Sequence, residues 1–255
     1  MENIQKKLDE LYFNYLSRIF DDKDVFEAIQ NYEISSPLLI DVNAPQGNYL
    51  KRKFRVLYIG KENNGWFNEK ERAKAGLKKI TDINTYLTEL KKLYYNFNIG
   101  IEYNKPIFRF LDILIDKIQT HYGGEESTGF LWTNLIRHSG DYGTGKIIDK
   151  YIDKVMYENN KILREEIKIL NPDAVVFITG PNYDKFLEKT FKNIKIEKIK
   201  PNYDKREIAI LKHDELELPK KSIRIFHPDY QNRLDGIGYM KEISQDIIEC
   251  FSKIN

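Results

Sequence analysis

Cysteine is almost missing: Cys250 is the single one in 255 residues. That excludes a disulfide framework, an iron–sulfur cluster on several thiolates and a cysteine-rich zinc site. It fits a reducing compartment, so a cytoplasmic location is expected. No apolar run approaches the roughly 18 residues that a membrane span needs. Met1 to Lys7 holds no apolar signal core, so secretion is not expected. Glycine and proline are sparse, at 14 and 8, and no repeat or low-complexity stretch occurs, so no long flexible linker is expected. Neither sign of charge dominates: 41 basic against 39 acidic residues leave a net +2. This excludes a histone-like polycation but leaves room for a local basic face, because steering depends on distribution rather than on the sum. What is plentiful is aromatic side chains, at 13% with tyrosine foremost. Most aromatics pack in cores, and exposed ones stack on bases and sugars.

Apolar periodicity predicts alternating helices and strands. Ile4, Leu8, Leu11, Tyr12, Tyr15, Leu16 and Ile19 recur at helical spacing, and a short helix is expected around Val25, Phe26 and Ile29 before Ser35-Ser36-Pro37 breaks it. Further helices are expected from Thr81, carrying Ile83, Tyr86, Leu87, Leu90 and Leu93, and from Pro106, a favourable first helical residue. A long helix over 147–170 stops at Asn171-Pro172, and another closes the chain after Gly238. Phe54–Ile59, Phe130–Leu135 and Ala174–Thr179 are apolar almost throughout, and Ile223–Phe226 is the last strand. Ile194–Ile199 and Glu207–Leu211 read as a hairpin or two edge strands. Such alternation argues for an α/β fold whose mostly parallel sheet is covered on both faces.

In such folds ligands bind beyond the carboxyl ends of the strands. There stand Gly60-Lys61-Glu62-Asn63-Asn64-Gly65-Trp66, then Thr133-Asn134-Leu135-Ile136-Arg137-His138, then Gly180-Pro181-Asn182, and finally His227-Pro228-Asp229-Tyr230-Gln231-Asn232-Arg233. With the Leu170-Asn171-Pro172 turn before the third strand, these motifs in this order resemble the uracil-DNA glycosylase superfamily over roughly residues 54 to 235. The resemblance implies a three-layer α/β/α sandwich around a four-stranded, mostly parallel sheet. Residues 51–255 would form that domain, and residues 1–50 a helical extension packed on it. It implies a monomeric, cofactor-free and metal-free DNA glycosylase that hydrolyses the N-glycosidic bond of a flipped base, with DNA as partner and no membrane.

The chemistry suits those residue types. Glycosidic cleavage passes through a sugar cation, which a carboxylate at Glu62 stabilises while it orients the attacking water. An imidazole at His227 relieves the charge on the departing base. Asn134 presents a donor and an acceptor in one plane and can read a pyrimidine edge, while Gly60, Asn63 and Trp66 line the base site. By the resemblance Tyr230, Gln231, Asn232 and Arg233 would supply the wedge that base flipping uses, and Lys61, Arg137, Lys146 and Arg224, with Arg233, the local basic patch that holds DNA. Asn63-Asn64 stand where family members commonly carry proline and then an aromatic or glycine, which leaves space for a larger or modified base. Asp229 replaces the usual serine.

Structural readings stand beside these. Glu62 suits a solvated loop, Asn134 suits satisfying strand-end backbone groups, His227 suits packing before a proline turn, and Trp66 suits a core. A binding module on the same fold, or a hydrolase of free nucleosides or nucleotides, are the alternative functions. Gly140–Lys146 has the spacing of a phosphate loop, but Ile147 stands where a magnesium-binding Ser or Thr is needed. Gly60-Lys61-Glu62 lacks the glycines of a dinucleotide fold. His121, His138, Asp141 and His213 offer no pair at metal-ligand spacing.

Overall fold

The computed structural model describes residues 2–45, 48–63, 65–97, 106–140, 161–200, 204–213, 217–228 and 236–254. The chain is α/β and divides into two compact units. One comprises Met1–Ala44, Gly60–Asn96 and Thr133–Leu170; the other comprises Pro45–Ile59, Phe97–Trp132 and Asn171–Asn255. The first 44 residues share a unit with later segments of the chain. Among the described residues no helix is long and apolar enough to cross a membrane.

The first unit is mainly helical. Helices α1 (Glu2–Asp21), α2 (Lys23–Gln30), α3 (Glu69–Lys74) and α4 (Ile83–Asn96) belong to it, as does α6, described over 161–170. Leu8, Tyr12, Tyr15, Leu16 and Ile19 of α1 are buried at the 3- and 4-residue steps that put them on one helix face. That face packs on α2 and α4, where Val25, Ile29, Tyr86, Leu90 and Tyr94 are buried.

The second unit holds most of the sheet. Strand order is β2-β1-β3-β6-β5-β4, with β1 at Phe54–Glu62, β2 at Thr128–Ile136, β3 at Ala174–Phe177, β4 at Lys195–Lys198, β5 at Ile208–Lys212 and β6 at Lys221–Ile225. The division between the units falls within β1 and β2. Strand β3 runs parallel to both neighbours, in register Val56↔Ala174 to Ile59↔Phe177 on one side and Ala174↔Lys221 to Phe177↔Arg224 on the other. Its four residues are fully buried, which is why Ala174–Phe177 is apolar without alternation. Helix α5 (Pro106–His121) packs against the C-terminal helix Gly236–Lys253.

The sheet has six strands and is mixed, where four mostly parallel strands were expected. The two added strands are the stretches that read as a hairpin: β4 pairs antiparallel with β5, and β5 pairs antiparallel with β6. They extend the sheet because Ile208 and Ala209 are buried beside β6, while the outermost strand carries exposed Lys195 and Lys198, charges that discourage further pairing at an edge.

Arg224, expected in a DNA-binding patch, is instead buried and ties the chain at the start of this hairpin's second strand. Its guanidinium is 1% exposed and grips Asp184 at the start of α7 (Asp184–Thr190) bidentately, with Nε to Oδ1 and Nη2 to Oδ2 both at 3.0 Å. It also donates to the Arg206 and Lys205 carbonyls, at 2.8 and 2.9 Å. Asp184→Ala leaves that buried cation without its carboxylate, and a loss of about 3 kcal/mol is expected in urea denaturation; a loss below about 0.5 kcal/mol would show the pair to be dispensable.

Candidate functional site

The predicted residues that gather in the first unit do so where β1 ends. Glu62 is the last residue of that strand and is half-buried. Gly60 before it is buried, and Asn63 after it is 3% exposed. The Asn63 side chain is fully committed: Nδ2 donates to the Ser36 carbonyl at 2.8 Å and to the Arg137 carbonyl, and Oδ1 accepts from the Ser35 hydroxyl at 2.5 Å. Ser35 Oγ in turn accepts from the Ser139 N–H at 2.8 Å, and the Ser35 N–H donates to the Ser139 carbonyl at 2.8 Å. These bonds clasp three chain segments around the residue that follows Glu62. Asn63 therefore does not line a base site, because an amide with its donors and acceptor already engaged has little left to offer a ligand.

Asn134 is drawn into the same clasp. It is 3% exposed, and its side-chain oxygen accepts from the Asn63 backbone N–H at 3.2 Å while its amide nitrogen donates to the Thr133 carbonyl at 3.2 Å. This is the strand-end role, satisfying backbone groups.

Trp66, half-buried, lies between two residues of positive φ, Gly65 at 70° and Phe67 at 54°. For phenylalanine that conformation costs on the order of 1 kcal/mol and needs its surroundings to hold it. Here the Phe67 ring is buried and stacks on Tyr86 with centroids 6.2 Å apart, and the Gly65 N–H donates to Ser139 Oγ at 3.1 Å. Asn68 and Glu71 then close a capping box on α3. The loop is fixed on both sides of Trp66.

Arg137 is corrected outright. Expected to face DNA phosphate, its side chain has no exposed surface. Nη2 pairs with Glu166 Oε2, and Nη1 donates to Thr133 Oγ1 and, at 2.9 Å, to the Leu38 carbonyl. Tyr12 completes the arrangement, donating to Glu166 Oε1 at 2.7 Å and accepting from the Ile40 N–H at 3.1 Å. Burial pulls the guanidinium below its ordinary pKa and pushes the Tyr12 phenol up. A buried cation of this kind is a structural tie with no charge to offer a surface ligand.

His138 was missed as part of this network. It is fully buried, with Nδ1 donating to the Ser35 carbonyl at 2.7 Å and Nε2 accepting from the Tyr15 hydroxyl at 2.7 Å. Burial, opposed by the Ser35 bond and reinforced by the Arg137 charge, brings its pKa down to about 4. No periodicity in the sequence marks Ser35, His138, Tyr15 or Glu166 as partners; Ser35 reads there only as a helix breaker.

His227 belongs to the second unit and is half-buried just beyond β6. Beside it Gly180, at φ 73°, donates its N–H to the Ile225 carbonyl at 2.9 Å. A Cβ on Gly180 would stand at ordinary contact distance, 3.4 Å from the His227 backbone nitrogen, so it is the left-handed dihedral that favours glycine. Lys61 is half-buried. Lys146, Tyr230, Gln231, Asn232 and Arg233 lie outside the described residues, as does most of the phosphate-loop-like stretch, 141–146. Among the described residues no group of three His, Cys, Asp or Glu is placed to hold a metal ion.

Compared with known protein families and with curated proteins, the chain matches none.

The neutral His138 makes stability depend on pH. Its folded pKa lies below the unfolded value near 6.5, so the stabilisation is complete above about pH 6.5 and is lost as pH falls towards about 4. About 3 kcal/mol is expected to disappear over that window, read from urea midpoints. His138→Gln flattens this part of the profile; an unchanged profile would remove His138 as its source.

Proposed function

We propose that the chain is a DNA glycosylase-like hydrolase acting on the N-glycosidic bond of a flipped damaged or modified base. The observation that carries the reading is Glu62: a half-buried carboxylate at the carboxyl end of a parallel strand, followed by an asparagine locked by four hydrogen-bonding groups. A carboxylate on such a rigid support can meet the sugar cation without reorganising, which is what electrostatic stabilisation requires. In this reading Glu62 stabilises the cation and orients water, and the three-layer α/β/α arrangement of the superfamily surrounds the parallel strands. Asn63 and Asn134 fix the backbone directly after Glu62 and do not read the base, so base selection falls to Trp66 and to residues outside the clasp.

A second reading, a non-catalytic nucleic-acid, nucleotide or protein-binding module, is favoured by one observation: the two amides expected to contact the base are both spent on the protein itself.

The two are separated by incubating the protein with oligonucleotides carrying uracil, deaminated purines or bulky 5-substituted pyrimidines. Alkali-labile abasic sites are expected, with Glu62→Gln lowering the rate by roughly 100-fold or more. Binding with no release from any substrate assigns the chain to the second reading. Release from free nucleosides alone would make it a nucleoside hydrolase.

A further inference from the structure

Directly after the loop that carries Glu62 and Trp66, the chain displays four exposed lysines, Lys70, Lys74, Lys78 and Lys79. Lys70 and Lys74 stand one helical turn apart on α3 and share a face, where like charges repel. Acids stand nearby, none of them paired with these lysines among the described residues. Glu71 accepts the Asn68 N–H at 2.8 Å in the capping box, and Asp82 accepts the Thr85 N–H at 2.6 Å. Glu69 stands exposed in the first turn of α3. Among the described residues none of the four lysines forms an ion pair, whereas Lys91 and Lys92 on α4 are paired with Asp9 and Glu89.

This display is built. The chain reverses after α3 at Gly76, whose φ of 73° suits glycine. The fully buried Arg72 ties the returning backbone down: Nε donates to the Leu77 carbonyl at 3.2 Å and Nη2 to the Lys78 carbonyl at 3.3 Å. The same guanidinium reaches the Ile29 carbonyl at 2.8 Å and Gln30 Oε1 at 3.0 Å, and its carbon lies 4.5 Å from the centre of the Tyr32 ring. Leu77 and Ile80 are buried, so the intervening Lys78 and Lys79 are turned to the outside. One buried arginine thus holds two pairs of surface lysines on a fixed backbone.

We propose that the exposed lysines Lys70, Lys74, Lys78 and Lys79 contact the phosphate backbone of a nucleic acid. Charge complementarity selects a polyanion, and the chemistry of the segment selects among polyanions. The exposed large hydrophobics of the described residues are Phe13, Tyr95 and Ile237, none of them in this segment, and a helix that lies on a membrane needs an apolar face to insert. Phosphate contacts need only fixed cations, and they position without reading sequence. The proposal rests on the base-excision reading only for the choice of DNA as the polyanion.

The test is fluorescence anisotropy with labelled single- and double-stranded oligonucleotides over roughly 50 to 200 mM salt. The wild type is expected to bind, more weakly as salt rises. The variant with Lys70→Gln, Lys74→Gln, Lys78→Gln and Lys79→Gln is expected to bind about tenfold or more weakly at the low end, with a salt slope shallower by about 0.7 to 0.9 for each phosphate that is no longer neutralised. Its far-UV circular dichroism and urea midpoint should match the wild type, since the four side chains are exposed; Lys78→Gln with Lys79→Gln alone, expected to weaken binding by a smaller factor, serves if they do not. Binding by the wild type with no base release bears on the catalytic reading alone. Unchanged affinity and slope in the lysine variants would overturn the proposal. So would a wild type that ignores oligonucleotides, whether or not it sediments with phosphatidylserine vesicles.

Discussion

The ion pair between Arg137 and Glu166, shut away from water, sets the terms for the first unit. Desolvating two charges costs several kcal/mol for each ion, which attraction offsets only when the remaining hydrogen bonds are made. Here Thr133 and the Leu38 carbonyl accept from Nη1 and Tyr12 donates to the carboxylate, and Tyr12 also receives the Ile40 N–H. The pair therefore fixes more than two side chains. It locates α1, the extended segment around Leu38–Ile40, the end of β2 and α6 by groups that have no alternative partner in water.

The clasp around Asn63 is the consequence closest to the candidate site. It shares the Arg137 backbone carbonyl with the ion-pair residue and adds Ser35, Ser36 and Ser139, so the end of β1 inherits the same rigidity. His138 lies next in the chain to Arg137 and ties Tyr15 to Ser35, which makes an uncharged imidazole part of the support. A polar core of this kind rigidifies when satisfied and is costly when it is not. The three residues expected as ligand contacts, Asn63, Asn134 and Arg137, are in this sense the scaffold of the site, while Glu62 and Trp66 remain at its accessible edge.

Much of the architecture was legible along the chain. The helix face of Leu8, Tyr12, Tyr15, Leu16 and Ile19, the start of α5 at Pro106, the strand β3 and the hairpin of β4 and β5 all follow from periodicity and local chemistry, because burial of a repeating apolar face is a local pattern. Helix α3 was not legible, being six residues rich in charge with no apolar face to report. The sheet order was not legible either, and the count of four strands failed because the hairpin joined β6. At the site, the residue types beyond each strand were visible, but not which of them face outwards.

Sequence by itself determined the alternation of helix and strand, the absence of a disulfide framework and the placing of Glu62 and His227 near strand ends, since each depends on composition or on neighbours a few residues away. Only the tertiary structure decided the fate of the polar residues. Arg137 finds Glu166 across 29 residues and Tyr15 finds His138 across 123. A buried charge or amide is tolerable only when such a distant partner meets it, so the same side chain is a ligand contact or a structural tie according to a meeting that no local pattern records.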